Sequence, residues 1–141
     1  MDIKFAFAVN NNNKFQKNHF GDSEKFLIFR LQSGRLKLIS EIKNSSLDVD
    51  EKHGSQKKGE AIIVALKNQG VNVLVSMQFG KNISIINKYF IPVIIYSEEV
   101  EEVISALTRQ LFWIIDELEN TSSDYKLFSI KSGVLKTVIK K

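Results

Sequence analysis

Two runs constrain this chain most: Val71-Asn72-Val73-Leu74-Val75 and Ile91-Pro92-Val93-Ile94-Ile95-Tyr96. Both are short, nearly continuous in apolar character and rich in β-branched residues. They lack the polar alternation of a sheet with one wet face, which is the signature of strands buried on both faces. Such strands need helices above and below. Gly59 to Asn68 supplies one helix, with Ala61, Ile62, Ala65 and Leu66 at helical spacing and Gly70 where a C-terminal cap belongs. Ser76 to Gly80 is a strand-to-helix loop, and a short helix from about Lys81 to Tyr89 leads to the second run. Two strand–helix–strand units in succession imply parallel pairing through right-handed crossovers.

The remaining segments extend this sheet. Ile3 to Val9 reads as a strand with Phe5 and Phe7 on one face and Lys4, Ala6 and Ala8 on the other, the alanines leaving room for a helix. Phe26 to Leu31 and Leu36 to Ile42, joined at Ser33-Gly34, form a β-hairpin, which makes the sheet mixed. Leu36 and Leu38 alternate with Lys37 as a half-buried strand should. Ser97 is placed to cap a long helix whose first turns carry Glu98, Glu99, Glu101 and Glu102, where the helix dipole favours acids. Apolar spacing carries that helix to about Glu119. Phe112 and Trp113 widen its apolar face, either as core against the last segment or as a partner surface. That last segment, Tyr125 to Ile139, repeats the first hairpin, with Ser132-Gly133 in place of Ser33-Gly34 and Ile130 and Leu135 in place of Leu31 and Leu36. An isolated hairpin is marginal in water. It must therefore extend the sheet or supply strands to a second subunit, and Phe112 and Trp113 offer a surface to meet. The expected organisation is one domain, residues 1–121, with a hairpin extension over 122–141.

Two loops interrupt the regular elements. Asn10 to Asn18 is too polar to bury and too rich in asparagine to continue a strand, so it belongs on the surface. It leads into His19-Phe20-Gly21-Asp22-Ser23, which delivers an imidazole, an aromatic ring and a glycine to the end of the first strand, where α/β sheets bind ligands. Lys43 to Lys58 is nearly devoid of apolar residues and reads as a long mobile loop. His53 sits in it, and Lys57 and Lys58 precede a helix N-terminus, a combination that attracts anions; the plain alternative is a solvated loop.

The start Ile3-Lys4-Phe5-Ala6-Phe7-Ala8-Val9, the triplet His19-Phe20-Gly21 followed by Phe26 and Ile28, and Gly59 to Gly70 leading into Val71 to Val75 together resemble the dinitrogenase iron-molybdenum cofactor-binding family. The resemblance extends to about Leu107. It implies a three-layer α/β domain of ribonuclease H-like fold with a mixed central sheet. It further implies a non-catalytic role in binding or carrying an iron-molybdenum cofactor or a precursor iron-sulfur cluster, as nitrogenase accessory factors do in nitrogen fixation. On that reading the cofactor-binding candidates are His19, Phe20, Gly21, His53, Phe79 and Gly80, with His19 as metal ligand.

Composition narrows the alternatives. The chain has no cysteine, so thiolate catalysis and cysteine-ligated clusters within one chain are excluded, and His19 and His53 are its two imidazoles. A lone histidine without neighbouring ligands is as well suited to bracing a loop as to holding metal. A net charge of +4 without an aromatic-interleaved basic face gives no case for nucleic acid. No apolar run approaches the ~18 residues that span a bilayer, and no secretory signal pattern opens the chain, so the expected compartment is the cytoplasm with no membrane partner. Nucleases of the ribonuclease H-like fold hold metals on carboxylates from central strands. Ile3 to Val9, Val71 to Val75 and Ile91 to Tyr96 carry none, and no Gly-x-Ser-x-Gly elbow is present, so an enzyme is not expected. Expected partners are an anionic metal cluster and, through the C-terminal hairpin, a second copy of the chain. The alternative function is a regulatory or structural interaction module without a cluster.

Overall fold

The computed structural model describes residues 2–44 and 54–138. Its elements, in chain order, are β1 (Lys4–Val9), β2 (Lys25–Gln32), β3 (Arg35–Lys43), α1 (Gly54–Asn68), β4 (Val73–Ser76), α2 (Ile83–Ile86), β5 (Ile91–Ile95), α3 (Val100–Arg109), α4 (Leu111–Asn120), β6 (Leu127–Lys131) and β7 (Val134–Val138). The strands form one seven-stranded sheet in the order β3-β2-β1-β4-β5-β6-β7. β1, β4, β5 and β6 are parallel, and an antiparallel strand pair closes each side. The expected mixed three-layer α/β architecture is therefore present.

Side-chain alternation on β1 divides the core. Phe5, Phe7 and Val9 join Val73, Val75, Ile91, Val93, Ile95, Phe128 and Ile130 beneath α3 and α4. Ala6 and Ala8 point the other way, into a cluster with Ile62, Ile63 and Leu66 of α1 and Ile86 of α2. The small alanines let α1 approach the sheet closely, and Leu66 at its centre is fully buried. Truncating a leucine so placed costs about 2–5 kcal/mol.

Both hairpins turn on Ser-Gly pairs in the left-handed region: Ser33 and Gly34 at φ 50° and 77°, Ser132 and Gly133 at 53° and 76°. Two consecutive positive φ values are what the twist of a two-residue hairpin requires. The pairs Leu31↔Leu36 and Ile130↔Leu135 occupy equivalent places in the two hairpins.

Several boundaries differ from expectation. α1 begins at Gly54, inside the segment read as a loop, because its polar first turns carry no apolar periodicity. Residues 45–53, and with them His53, lie outside the described residues, as do the side chains of Lys57 and Lys58 and residue Ile139. α2 is a single turn. The long third helix is two: Gln110, at φ −110° and ψ 11°, separates α3 from α4 and donates from Nε2 to the Gly133 carbonyl at 3.0 Å. Ser97 does not cap it. Glu99 is the N-cap, and Ser97 Oγ accepts from the Glu99 amide and donates to Glu102. β3 is irregular opposite Ile28 and Phe29, where the register slips by one residue, and Leu38 is exposed on this edge strand instead of half-buried. The slip interrupts the free edge of the sheet, a device that discourages edge-to-edge pairing.

The C-terminal hairpin docks as part of the sheet, with β6 parallel to β5. It does not rest on Phe112 and Trp113, which are 63% and 56% exposed and pack on each other at 5.2 Å. β4–α2–β5 and β5–α3–α4–β6 advance the sheet in the same direction over opposite faces, so the two connections have opposite hands. Right-handed crossovers dominate because strand twist favours them. One of the two connections therefore has the rarer hand, and α3 and α4 cover the face that α1 and α2 leave open. Among the described residues no helix is long and apolar enough to cross a membrane.

Candidate functional site

The carboxyl ends of β1, β4, β5 and β6 share one edge. After β1 the chain moves outward to β2 and β3, then returns to place β4 on β1's other side. The crevice above β1 and β4 is thus the point where the strand order reverses, the place where open α/β sheets hold ligands.

His19 lies in this crevice. The β1 loop and the β4 loop meet there through a parallel bridge between His19 and Gln78, and the Phe20 amide donates to the Gln78 carbonyl at 2.8 Å. The 3₁₀ turn Phe20–Asp22 follows, with His19 as its N-cap residue, yet the imidazole makes no capping hydrogen bond. The ring instead lies over Gly80. A Cβ built on Gly80 would stand 2.7 Å from Nδ1 and 2.8 Å from Cε1 of His19. Gly80 also has φ +65°, so glycine is required there twice, by backbone conformation and by the ring above it. His19 is exposed to solvent.

Beneath these two residues the loops are solidly built. Phe20 and Phe79 are buried, with ring centres 5.8 Å apart, and Gly21 is buried against Ile62 of α1. Ser23 Oγ donates to the Phe20 carbonyl at 2.7 Å. Asn44, just past β3 and buried, donates from Nδ2 to the Gly21 carbonyl at 3.0 Å and the Ser23 carbonyl at 2.7 Å. Nothing in the local sequence singles out Asn44, because its partners lie some twenty residues away. Ser76 Oγ donates to the Gln78 carbonyl at 3.0 Å and shapes the β4 loop.

The asparagine-rich segment is a closed turn. Asn10 Oδ1 accepts from the amides of Asn12 and Lys14, and the Asn11 side chain donates to Glu24. Asn11, Asn12 and Asn13 are exposed as expected, but Phe15 is buried with its ring 5.4 Å from Phe7. Lys14 pairs with Glu99. That hydrogen bond, with the charges of Glu99 and Glu98, holds the Lys14 ammonium above its ordinary range against the opposing effect of burial.

Of the residues singled out in the sequence, the fold brings His19, Phe20, Gly21, Phe79 and Gly80 together at one edge. His19 and Gly80 lie at the surface, while Phe20, Gly21 and Phe79 are buried and carry the loops. α1 runs back from this same edge, since β3 ends here and β4 begins at the opposite one. The positive end of its dipole therefore points toward the crevice. Lys81 is exposed in the adjoining 3₁₀ turn Gly80–Asn82. Among the described residues no group of three or more histidine, cysteine, aspartate or glutamate side chains could hold a metal ion. The described part of one chain thus supplies a single imidazole to the crevice.

These features define a small α/β domain with a loop-built crevice at the switch point of its sheet. The family model described as dinitrogenase iron-molybdenum cofactor matches residues 1–110, and the chain belongs to that family. Among solved structures it is similar to the NMR structure of a Methanococcus jannaschii protein that carries a provisional dinitrogenase name. The two share 18% identity and a TM-score of 0.55 over 79% of this chain and 91% of that one, a likeness of fold. No curated protein matches.

Proposed function

We propose that this protein binds and carries an anionic iron-molybdenum or iron-sulfur cluster in the crevice above β1 and β4, without itself performing chemistry. The observation that carries the reading is the exposed His19 imidazole held over Gly80 at the switch point, in a chain of this family. The cluster is cargo. His19 offers one neutral nitrogen to it, Gly80 keeps the approach open, and Lys81 with the α1 dipole favours negative charge. Phe20, Phe79 and Asn44 hold the two loops in place.

Anaerobic titration with a synthetic iron-molybdenum-sulfur cluster, followed by absorbance, tests this. Loss of one ligand in His19→Ala should weaken binding at least about tenfold, or about 1.4 kcal/mol. Equal affinity in the two proteins would remove His19 as the ligand and leave only electrostatic capture.

A further inference from the structure

A second site lies at the same edge of the sheet on its other face. A groove of about 750 Å³ runs between α3 and the ends of β5 and β6. Its volume is that of pockets that hold small molecules. The floor is apolar, made by Ile95, Val103, Ala106 and Ile130, all buried. Ile130 and the Lys131 to Gly133 turn lie beyond the family match at residue 110, so the C-terminal hairpin supplies one wall of the groove.

The charges on its helical wall are divided between the two ends. Glu101 and Glu102 stand in the first turn of α3, and Ser97 Oγ donates to Glu102 Oε2 at 2.8 Å. Arg109 stands in the last turn, with Nη1 donating to Ser105 Oγ at 3.0 Å and Nη2 beside Gly133, 3.2 Å from where a Cβ would be. Glu102 and Arg109 are seven residues apart, two helical turns, or about 10.5 Å at about 1.5 Å per residue. Arg109 has no carboxylate partner among the described residues. On the facing wall Lys131 Nζ lies 5.4 Å from the centre of the Tyr96 ring.

A ligand of one sign would answer one end of this wall and desolvate the other. The groove therefore calls for an elongated molecule with ammonium and carboxylate groups about 10 Å apart and an apolar body between them. One amino acid, at roughly 3.5 Å, is too short, while three extended residues span about 10–11 Å. We propose that the groove binds a short extended peptide of about three residues with apolar side chains. Its amino group lies at Glu101 and Glu102, its side chains on the Ile95, Val103 and Ile130 floor, and its carboxylate at Arg109.

Isothermal titration calorimetry of the full chain with trileucine tests this independently of cluster binding. Free trileucine should bind saturably. N-acetylation, C-amidation, Arg109→Gln and the double substitution Glu101→Gln with Glu102→Gln should each weaken it about fivefold or more, as loss of a charge-assisted contact does. Arg109→Gln should weaken the amidated peptide no further, since that contact is already gone. Circular dichroism confirms that these surface variants are folded. No binding of trileucine to the wild-type protein at about 5 mM, where even a millimolar complex would be populated, would overturn the proposal. So would equal affinity for blocked and free peptides, or binding of free leucine as tight as that of trileucine.

Discussion

Replacing Gly80 with alanine puts a methyl group where the His19 ring already lies. The new Cβ would fall 2.7 Å from Nδ1, so the imidazole must move, and the backbone at φ +65° must hold an L-residue in the left-handed region. That conformation costs about 1–2 kcal/mol. His19 is exposed and can rotate away, so its displacement adds little to the loss of stability but removes the ring from the crevice. For a domain of this size, about 1–2 kcal/mol lowers the melting temperature by roughly 3–7 °C. Gly34→Ala supplies the control, because Gly34 has φ +77° and nothing within 4 Å of a built Cβ. Both variants should melt earlier by similar amounts in differential scanning calorimetry. Gly80→Ala alone should also shift the His19 ring resonances in NMR spectra. An unchanged melting temperature for Gly80→Ala would refute the left-handed backbone at Gly80, and His19 resonances that do not move would refute the contact between these two loops.

Asn44→Ala leaves the Gly21 and Ser23 carbonyls without their buried donor and should cost about 1–3 kcal/mol in urea unfolding; faster hydrogen exchange at Phe20 and Asp22 would show that the loss is felt in the His19 turn. Phe112→Ser with Trp113→Ser should change stability by no more than about 0.5 kcal/mol per site, since both rings are largely exposed; a larger loss would place them in a core. Truncation after Thr121 removes the buried side chains of Leu127, Phe128 and Ile130, each worth about 1.5–3 kcal/mol, and uncovers the edge of β5. The shortened chain should melt earlier or fail to stay in solution, and an unchanged melt would show the hairpin to be dispensable. Light scattering on the full chain tests the expected homodimer, for which β7 offers a free strand edge.

The strands were legible because burial on both faces leaves continuous apolar runs at β4 and β5, and the hairpin turns because Ser-Gly supplies positive φ. Parallel pairing of β1 and β4 brings the loops that follow them to one edge, whereas the seat of the His19 ring over Gly80 is visible only in the folded chain. What escaped was set by distant partners. The helix break at Gln110 is invisible in an apolar spacing that continues across it, and it is fixed by the Gly133 carbonyl. Glu117 is an exposed-type residue by composition, yet it is buried on α4, where its carboxylate accepts the Lys126 amide at 2.9 Å. Asn87 is likewise buried, where its side chain donates to the Tyr125 carbonyl and joins α2 to the start of β6. The groove beside α3 could not be seen either, since its walls meet only when β6 pairs with β5.

Cluster carriage is tested most directly by the metal content of the protein purified without oxygen from cells that make iron-molybdenum cofactor. Iron and molybdenum, measured by mass spectrometry per chain, should be present together in the wild-type protein and be lower in His19→Ala, whose affinity should be weaker by at least about tenfold. A wild-type protein free of both metals, or a His19→Ala protein that carries as much as the wild type, would contradict the proposed role.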